Sequence, residues 1–222
     1  MRCEICTEAV MIADTPTLRT AIIATARAMN AAGINRGKSG NVSARIDGGF
    51  LITPSGLPYA DTTAADIVAV DETGAASGTR KPSSEWRFHR DIYRARGEAA
   101  AIVHAHSPFA TTLACLDRGI PAFHYMIAMA GGNDIRCAPY ATFGTQELSD
   151  AALSALDERK ACLLAHHGMI AIGESLDKAL ALAVEVETLA EMYWRALQIR
   201  EPEILSDAEM QTVLAKFAHY GR

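Results

Sequence analysis

The stretch that most constrains the fold of this 222-residue chain is residues 101–108, which read AIVHAHSP. Its β-branched residues favour a strand, and the proline marks the end of that strand. Side chains two residues apart on a strand point to the same face, so His104 and His106 are expected to project together. Imidazole is a good zinc ligand, but a lone H-x-H pair is more often two partly exposed histidines at a strand end. Ligands from other parts of the chain are needed to decide.

Composition and charge exclude several classes of protein. Half of the residues are hydrophobic, 21% are charged, and the net charge is −5 at pH 7. No cluster of lysine or arginine points to nucleic acid or to an anionic membrane as a partner. No run approaches eighteen apolar residues, so no membrane-spanning helix is expected. The N-terminus lacks the charged-then-apolar order of a secretory signal, which favours a cytoplasmic location.

The five cysteines are odd in number, and the chain is too long to depend on a disulfide framework. Cys3 and Cys6 have C-x-x-C spacing but stand alone near the terminus. We expect a frayed tail there instead of a metal or redox site. The other three lie among apolar residues and are expected to be buried thiols, namely Cys115, Cys137 and Cys162.

Hydrophobic periodicity and turn residues predict where helices and strands lie. Helices are expected at residues 17–32, 81–93, 110–116, 145–159, 176–199 and 207–217. Strands are expected at residues 42–46, 50–53, 66–71, 101–105, 137–140 and 161–172, the last bending at residues 166–168. No internal repeat or long linker divides the chain. Residues 17–222 are therefore expected to form one domain that follows an N-terminal extension of residues 1–16.

The strands predicted at residues 42–46 and 50–53 are joined by Asp47-Gly48-Gly49, which is typical of a hairpin turn. Small polar residues lie at both outer ends of this predicted hairpin, as SGN at residues 39–41 and TPSG at residues 53–56. Glycine lets a backbone approach a ligand, and serine and asparagine supply donors that suit phosphate oxygens. Turn chemistry alone also explains these residues. Ser83 and Ser84, at a predicted helix start, suggest an anion site, although a helix cap needs only one serine.

Two further residues are candidate metal ligands. Glu85 lies in the first turn of a predicted helix, where it is either a dipole-stabilising carboxylate or a metal ligand or base. His89 follows one turn later, and we favour a packing role for it. His167 precedes a glycine at a strand bend and is a credible third nitrogen ligand. Three histidines leave an open position on zinc, and a metal beside a phosphate pocket suits chemistry on a small phosphorylated sugar through an enediolate.

Six motifs in order closely resemble the class II aldolase/adducin family: GNVSARIDGGFLITPSGLPY, PSSEWRFHRDIY, AIVHAHS, IPAFHYMIAMAGG, APYATFGTQELS and LLAHHGMIA. The similarity runs from about residue 18 to residue 220. Within the family it is strongest to the aldolases that cleave L-fuculose 1-phosphate. The resemblance implies a three-layer α/β/α fold with a mostly antiparallel central sheet. It also implies a fourfold-symmetric homotetramer with active sites between subunits.

The resemblance assigns the metal site by position. His104, His106 and His167 match the zinc-ligand histidines, which implies one Zn²⁺ per subunit. Glu85 matches the glutamate that ligates the free metal and serves as acid/base when substrate displaces it. Tyr125 matches a tyrosine, contributed by a neighbouring subunit, that protonates the aldehyde oxygen.

Other positions match the substrate pocket. The phosphate-binding residues of the family are matched by Asn41, Ser55, Gly56, Ser83 and Ser84. Tyr220 matches a C-terminal tyrosine that covers the site. His124 and His166 adjoin functional positions but match no ligand, and we interpret them as supporting or packing residues.

The chain departs from the family pattern in two places. Lys38 stands where the fuculose enzymes usually have a small hydroxyl residue. Lysine there either strengthens the hold on phosphate or meets a carboxylate on a different substrate. The tail after Tyr220 is only two residues long. Both departures bear on the substrate and leave the predicted metal site intact.

The expected function is reversible, zinc-dependent cleavage of a ketose 1-phosphate to dihydroxyacetone phosphate and a small aldehyde. One alternative is an aldolase or decarboxylase of the same family that acts on 5-deoxyribulose 1-phosphate, methylthioribulose 1-phosphate or a keto-acid phosphate. A second is a pentulose 5-phosphate 4-epimerase, which would need differently placed acid and base residues. The last is a non-catalytic interaction module like the adducin head, which would be expected to lose metal ligands.

Overall fold

The computed structural model describes residues 12–217, which fold around one nine-stranded sheet. In chain order the strands are β1 (Asn41–Ile46), β2 (Gly49–Ile52), β3 (Val68–Asp71), β4 (Ala76–Ser77), β5 (Ala101–Ala105), β6 (Ile120–Pro121), β7 (Asp134–Ala138), β8 (Ala161–Leu164) and β9 (Gly168–Gly173). Across the sheet their order is β4-β3-β2-β1-β5-β9-β8-β7-β6. Every neighbouring pair is antiparallel except β7 and β8, so the prediction of a mostly antiparallel sheet is confirmed.

Helices cover both faces of this sheet. They are α1 (Pro16–Ala31), α2 (Trp86–Ala95), α3 (Pro108–Ala114), α4 (Gln146–Ala155), α5 (Leu176–Leu197) and α6 (Asp207–Phe217), with 3₁₀ turns at Ala64–Asp66 and Tyr125–Ala130. One buried core lies between the sheet and α1, α3, α5 and α6, and a second lies between the sheet and α2 and α4. The predicted three-layer α/β/α architecture is therefore confirmed.

The alternation of side chains along β5 decides which face carries the functional residues. Ala101 and Val103 belong to the core beneath α1 and α5, whereas Ile102 belongs to the core beneath α2. His104 follows Ile102 by two residues and therefore faces α2, where its ring meets the Phe88 ring at 5.4 Å between centroids. The predicted strand thus presents His104 to the α2 side of the sheet.

Residues 161–173 correct the prediction of one bent strand. β8 and β9 instead form an antiparallel hairpin, with Leu164 opposite Gly168. The reversal is made at His166, whose φ of 53° lies in the left-handed region. Residues 164–168 lack the Asn-Gly or Asp-Gly pair that usually signals a tight hairpin, so they carry no local signal of this turn. β9 then pairs with β5 on its other side, which brings His167 to the end of β5.

The start of α2 also differs from the prediction. The helix begins at Trp86 with Glu85 as its N-cap, so Ser83 and Ser84 precede the helix and do not form its first turn. Ser83 donates its backbone N–H to the Thr53 carbonyl over 3.1 Å, next to an isolated bridge between Pro54 and Pro82. This pairing holds the segment extended and fastens it to the loop that follows β2.

Smaller differences have local causes. α3 begins at Pro108 because proline fits the first position of a helix, where no N–H is needed. β7 begins at residue 134 instead of 137, and the short strand β4 forms where no strand was expected. Cys162 is buried as expected, but Cys115 is exposed because it caps the end of α3.

The predictions for the chain ends fall largely outside the described residues, which exclude Cys3, Cys6 and Tyr220. Residues 12–16 are the described part of the predicted extension; Pro16 already belongs to α1, and the Ile12 carbonyl accepts from Asp47 N–H over 3.0 Å. None of the helices within residues 12–217 has the length and apolar character needed to cross a membrane.

Candidate metal centre

Four side chains from three separate segments meet at the end of β5. Glu85 comes from the N-cap of α2, His104 and His106 from β5 and the residue beyond it, and His167 from the β8–β9 turn. One potential ligand atom from each lies within 4.8 Å of all the others. The structure therefore brings together the full set of metal ligands predicted from the sequence.

The contacts within this cluster are short. The Nε2 atoms of His104 and His106 are 3.0 Å apart. Glu85 Oε2 lies 3.1 Å from His104 Nε2, and Glu85 Oε1 lies 2.9 Å from His167 Nε2. The three imidazole rings stand at about right angles, with centroids 4.9 Å apart in each pair. The nitrogens thus point at one small volume.

A missing side chain makes this approach possible. Gly168 follows His167, and a Cβ atom there would lie 2.5 Å from the Ala105 carbonyl oxygen and 2.9 Å from the His106 ring. Both distances are shorter than real carbon contacts allow. The glycine after His167 therefore lets the β8–β9 turn approach the end of β5 and the ring of His106.

Hydrogen bonds among the described residues do not satisfy every polar atom of the cluster. His104 Nδ1 lies 2.9 Å from the Met169 carbonyl oxygen, which can only accept, so Nδ1 carries a hydrogen. Glu85 Oε1 is buried and has no partner with hydrogen-bond geometry among the described residues, despite its nearness to His167. A buried acceptor of this kind is costly unless a cation satisfies it. One carboxylate and three imidazoles are a donor set that zinc favours.

Titration of these groups follows from their burial and mutual charge. Burial opposes ionisation of Glu85, but His104 and His167 together bring its pKa well below its ordinary value. Burial, aided by the charges at His104 and His167, lowers the pKa of His106 to about 4. Burial also opposes charge on His104, but the Glu85 carboxylate outweighs it and raises the His104 pKa. A cation binding here would take over the role of that proton, because metal ligands must be deprotonated.

Most residues of the predicted phosphate pocket lie beside the cluster. Ser55 donates its N–H to the Lys81 carbonyl over 3.0 Å, which places Ser55 and Gly56 against the segment that carries Ser83 and Ser84. Lys38 Nζ donates to the Gly56 carbonyl over 2.7 Å. The exposed members of the set are Lys38, Ser55, Gly56 and Ser84.

Asn41 is placed differently from the other predicted phosphate residues. Its side chain is 2% exposed, and its amide nitrogen donates to Glu85 Oε2 over 2.9 Å. Its amide oxygen lies 2.5 Å from His89 Nε2. In this structure Asn41 therefore faces the metal-ligand carboxylate, and His89 makes polar contacts beyond the packing role expected from the sequence.

The structure does not bring Tyr125 to the cluster. It is 50% exposed, and its ring meets those of His124 and Phe217. No hydrogen bond or ring contact within residues 12–217 joins it to the four ligands. His166 is likewise turned outward, against the ring of Tyr140.

Residues 20–194 match the family model described as "Class II Aldolase and Adducin N-terminal domain". The chain belongs to the class II aldolase and adducin family. Class II aldolases depend on a metal ion, and the Glu and His₃ cluster provides the ligands for one.

Relatives of this class II aldolase are named for more than one sugar phosphate. A Rhodospirillum rubrum protein named 5-methylthioribulose-1-phosphate/5-deoxyribulose-1-phosphate aldolase is 61% identical and aligns over 92% of both chains. The Escherichia coli K12 L-fuculose phosphate aldolase is 52% identical, over 90% of this chain and 94% of its own. A solved L-fuculose 1-phosphate aldolase superposes with a TM-score of 0.90 at 38% identity, covering 95% of this chain and all of the other. This class II aldolase is therefore a carbon–carbon lyase of known fold.

Proposed function

We propose that this class II aldolase is a zinc enzyme that reversibly cleaves a ketose 1-phosphate to dihydroxyacetone phosphate and a small aldehyde. The observation that carries the proposal is the convergence of Glu85, His104, His106 and His167 beside two loops with exposed polar groups. The presence of all four candidate ligands argues against a non-catalytic module. The buried, unsatisfied Oε1 of Glu85 supports a cation at their centre.

Glu85, His104, His106 and His167 would hold zinc, which would supply Lewis-acid stabilisation of the negative charge that develops on the oxygens of the three-carbon product. Ser84 directly precedes Glu85, and Ser55 and Gly56 lie on the loop that contacts the same segment, so their backbone and hydroxyl groups can donate to a phosphate bound beside the cluster. Lys38 adds a positive charge at the same loop, since its Nζ lies against the Gly56 carbonyl. Binding the phosphate fixes the sugar carbons relative to Glu85.

Two proton transfers complete the reaction. Cleavage breaks the bond between C3 and C4 as the C4 hydroxyl loses its proton, and C3 must then gain one. Glu85 is the one carboxylate among the four candidate ligands, and we assign to it the transfer at C3. We assign to Tyr125 the transfer at the aldehyde oxygen. Because Tyr125 is exposed and away from the cluster of its own chain, this role requires a second subunit, in line with an active site shared within a homotetramer.

For the substrate, we place 5-methylthioribulose 1-phosphate and 5-deoxyribulose 1-phosphate first. The relative named for those two sugars is 61% identical, against 52% for the relative named for L-fuculose phosphate. Lys38 also departs from the pattern of the fuculose enzymes. Cleavage of these two substrates gives dihydroxyacetone phosphate with methylthioacetaldehyde or acetaldehyde. L-Fuculose 1-phosphate, which gives lactaldehyde, is the second candidate.

The test is a cleavage assay on purified, zinc-loaded protein with the three sugars and a pentulose 5-phosphate. Release of dihydroxyacetone phosphate is measured by coupled reduction, with Glu85→Gln protein as a control for contaminating aldolase. We expect the highest kcat/KM for one of the two 5-substituted ribulose 1-phosphates. A higher value for L-fuculose 1-phosphate would select the second candidate, and epimerisation without cleavage would contradict the proposal.

A further inference from the structure

A ladder of buried hydrogen bonds joins α2 to β1 behind the metal-ligand carboxylate. Its members, in order, are Tyr93, Ser43, His89, Asn41 and Glu85. The Tyr93 and Ser43 hydroxyls are 2.7 Å apart, and Ser43 Oγ lies 2.7 Å from His89 Nδ1. His89 Nε2 lies 2.5 Å from Asn41 Oδ1, and Asn41 Nδ2 lies 2.9 Å from Glu85 Oε2. The mechanism above uses only the last member of this α2–β1 ladder.

The spacing of the two elements makes the ladder possible. Glu85, His89 and Tyr93 recur every four residues, which is about 6 Å along a helix. Asn41 and Ser43 are two residues apart on one face of a strand, which is about 6.6 Å. The two repeats nearly match, so the side chains of β1 fall alternately between those of α2.

All five side chains are sealed from solvent. None is more than 5% exposed, and Ser43 and His89 are fully buried. The His89 ring stacks against Phe88 at 4.7 Å and lies 6.3 Å from the Phe50 ring, which fixes its plane. A buried polar group that loses its partner pays the full desolvation cost, so each member holds the next in place.

The hydrogen bonds can run in only one direction. A carboxylate only accepts, so Asn41 must present its NH₂ to Glu85 and its oxygen to His89. His89 Nε2 must then donate, which leaves Nδ1 to accept from the Ser43 hydroxyl. The Tyr93 hydroxyl in turn donates to Ser43. Burial together with the charge at His104 lowers the pKa of His89 to about 3, in agreement with the neutral ring that this pattern needs.

We propose that His89 is a positioning residue for the aldolase reaction, acting on Glu85 through the amide of Asn41. By fixing the orientation of that amide, His89 anchors Glu85 Oε2, which also lies 3.1 Å from His104 Nε2, and leaves Oε1 without a hydrogen bond, 2.9 Å from His167 Nε2. The proposal rests on the proposed function of Glu85 as a metal ligand and proton carrier. A purely structural ladder would add stability alone, and would not affect metal binding or the chemical step in folded protein.

The test compares His89→Phe, which keeps a flat ring but removes both hydrogen bonds, with His89→Gln, whose amide can still donate to Asn41. Zinc is titrated into metal-free protein by calorimetry, and kcat and KM are measured on zinc-loaded protein. We expect His89→Phe to lower zinc affinity and kcat each by about 10–100-fold, with KM changed less than about threefold. His89→Gln should recover most of both losses.

Two further variants keep the test decisive. Ser149→Ala removes a buried hydrogen bond of 2.7 Å to Asp91 on another side of α2. This variant should lower the melting temperature but leave zinc affinity and kcat unchanged. Tyr93→Phe removes the first donor of the ladder and should show a smaller loss in the same direction as His89→Phe, so it replaces that variant if the latter does not fold.

The outcomes separate the two proposals. If folded His89→Phe binds zinc and turns over like the wild type, or if Phe and Gln at position 89 behave alike, the positioning role is wrong. If Tyr93→Phe stands in and changes neither property, the same conclusion follows. Wild-type protein that binds zinc but cleaves no ketose 1-phosphate would instead contradict the proposed function, and zinc affinity would still decide the role of His89.

Discussion

The Nδ1 atom of His104 lies 2.9 Å from the carbonyl oxygen of Met169, across the neighbouring strands β5 and β9. Nδ1 carries a hydrogen and donates it to this carbonyl. The hydrogen bond to the backbone of β9 therefore fixes the direction in which the other ring nitrogen, Nε2, points. That nitrogen points at His106 and Glu85, each about 3 Å away. The sheet itself therefore orients the innermost ligand of the candidate metal centre before any ion binds.

Zinc is expected to stabilise the fold, because the four ligands are assembled only in the native state. Zinc at about 100 times its dissociation constant should add about 2.7 kcal/mol to the free energy of unfolding. For a chain of this size that corresponds to a rise in melting temperature of about 5–10 °C. Calorimetry with and without a chelator measures the shift.

Two variants test whether the zinc-dependent rise in melting temperature comes from binding at the Glu and His₃ cluster. His106→Ala should abolish the zinc-dependent rise, whereas His124→Ala should retain it, since His124 makes its described contacts with Met126, Phe123 and Tyr125. An equal shift in the two variants would place the metal elsewhere.

Glu85→Gln is expected to stop the chemistry and keep the metal. The amide cannot carry the proton at C3, so exchange of that hydrogen of dihydroxyacetone phosphate with D₂O should slow by at least about 10²-fold. The three histidines remain, and the zinc content should stay close to one per subunit. Proton NMR follows the exchange, and unchanged exchange would remove Glu85 from its assigned role.

Mixed subunits should test whether Tyr125 serves a neighbouring site. Glu85→Gln and Tyr125→Phe are each expected to be inactive or nearly so. Co-expressed in equal amounts in a cyclic oligomer, the two should restore about a quarter of wild-type activity, because a shared site needs Glu85 from one subunit and Tyr125 from the next. Purification through two different tags isolates the mixed species. No recovery in that species would show that each site is built within one chain.

Asp91 is expected to govern part of the acid stability. Burial opposes its ionisation, but hydrogen bonds from Arg90, Gln146 and Ser149 hold its pKa below the ordinary 3.8. Since the pKa is lower in the folded state, the stability it contributes is present above the unfolded value and is lost as pH falls through the folded value. Asp91→Asn should cost about 1–3 kcal/mol at neutral pH.

The difference between wild type and Asp91→Asn should shrink as the pH is lowered below 3.8, where the wild-type carboxylate also becomes protonated. Urea unfolding at pH 7 and at acidic pH measures both values. Asp61→Asn, at an exposed position, serves as the control and should leave the free energy of unfolding unchanged at both pH values. If wild type and Asp91→Asn differed in free energy of unfolding by the same amount at all pH values, the charge of the Asp91 carboxylate would not contribute to stability.

The sequence was most informative where periodicity and chemistry agreed. Period two placed His104 and His106 on one face, and the glycine after His167 explained how a third imidazole could come close. The sequence does not predict the α2–β1 ladder, because Asn41 and Ser43 are about 45 residues from their partners on α2. Asn41 and Ser43 alone are typical of an ordinary strand, and their partners on α2 are typical of an ordinary helix. Only tertiary packing brings the two groups together.

The β8–β9 hairpin was missed for a related reason. A histidine in the left-handed conformation makes the turn, and such a residue carries no local signature of a reversal. β9 lies between β5 and β8 and pairs with both, so tertiary pairing overrides the weak local signal. The motif resemblance anticipated the mostly antiparallel sheet and the ligand set, whereas the hairpin, the single parallel pair and the role of His89 required coordinates.

The outermost strands of the sheet, β4 and β6, are each only two residues long, and β6 contains Pro121. So few free backbone N–H and C=O groups cannot template a further strand from another molecule. If copies of this chain associate, strand pairing at these two edges of the described sheet is therefore not expected to join them. Side chains on the surface of the molecule would instead have to supply the specificity of such an association.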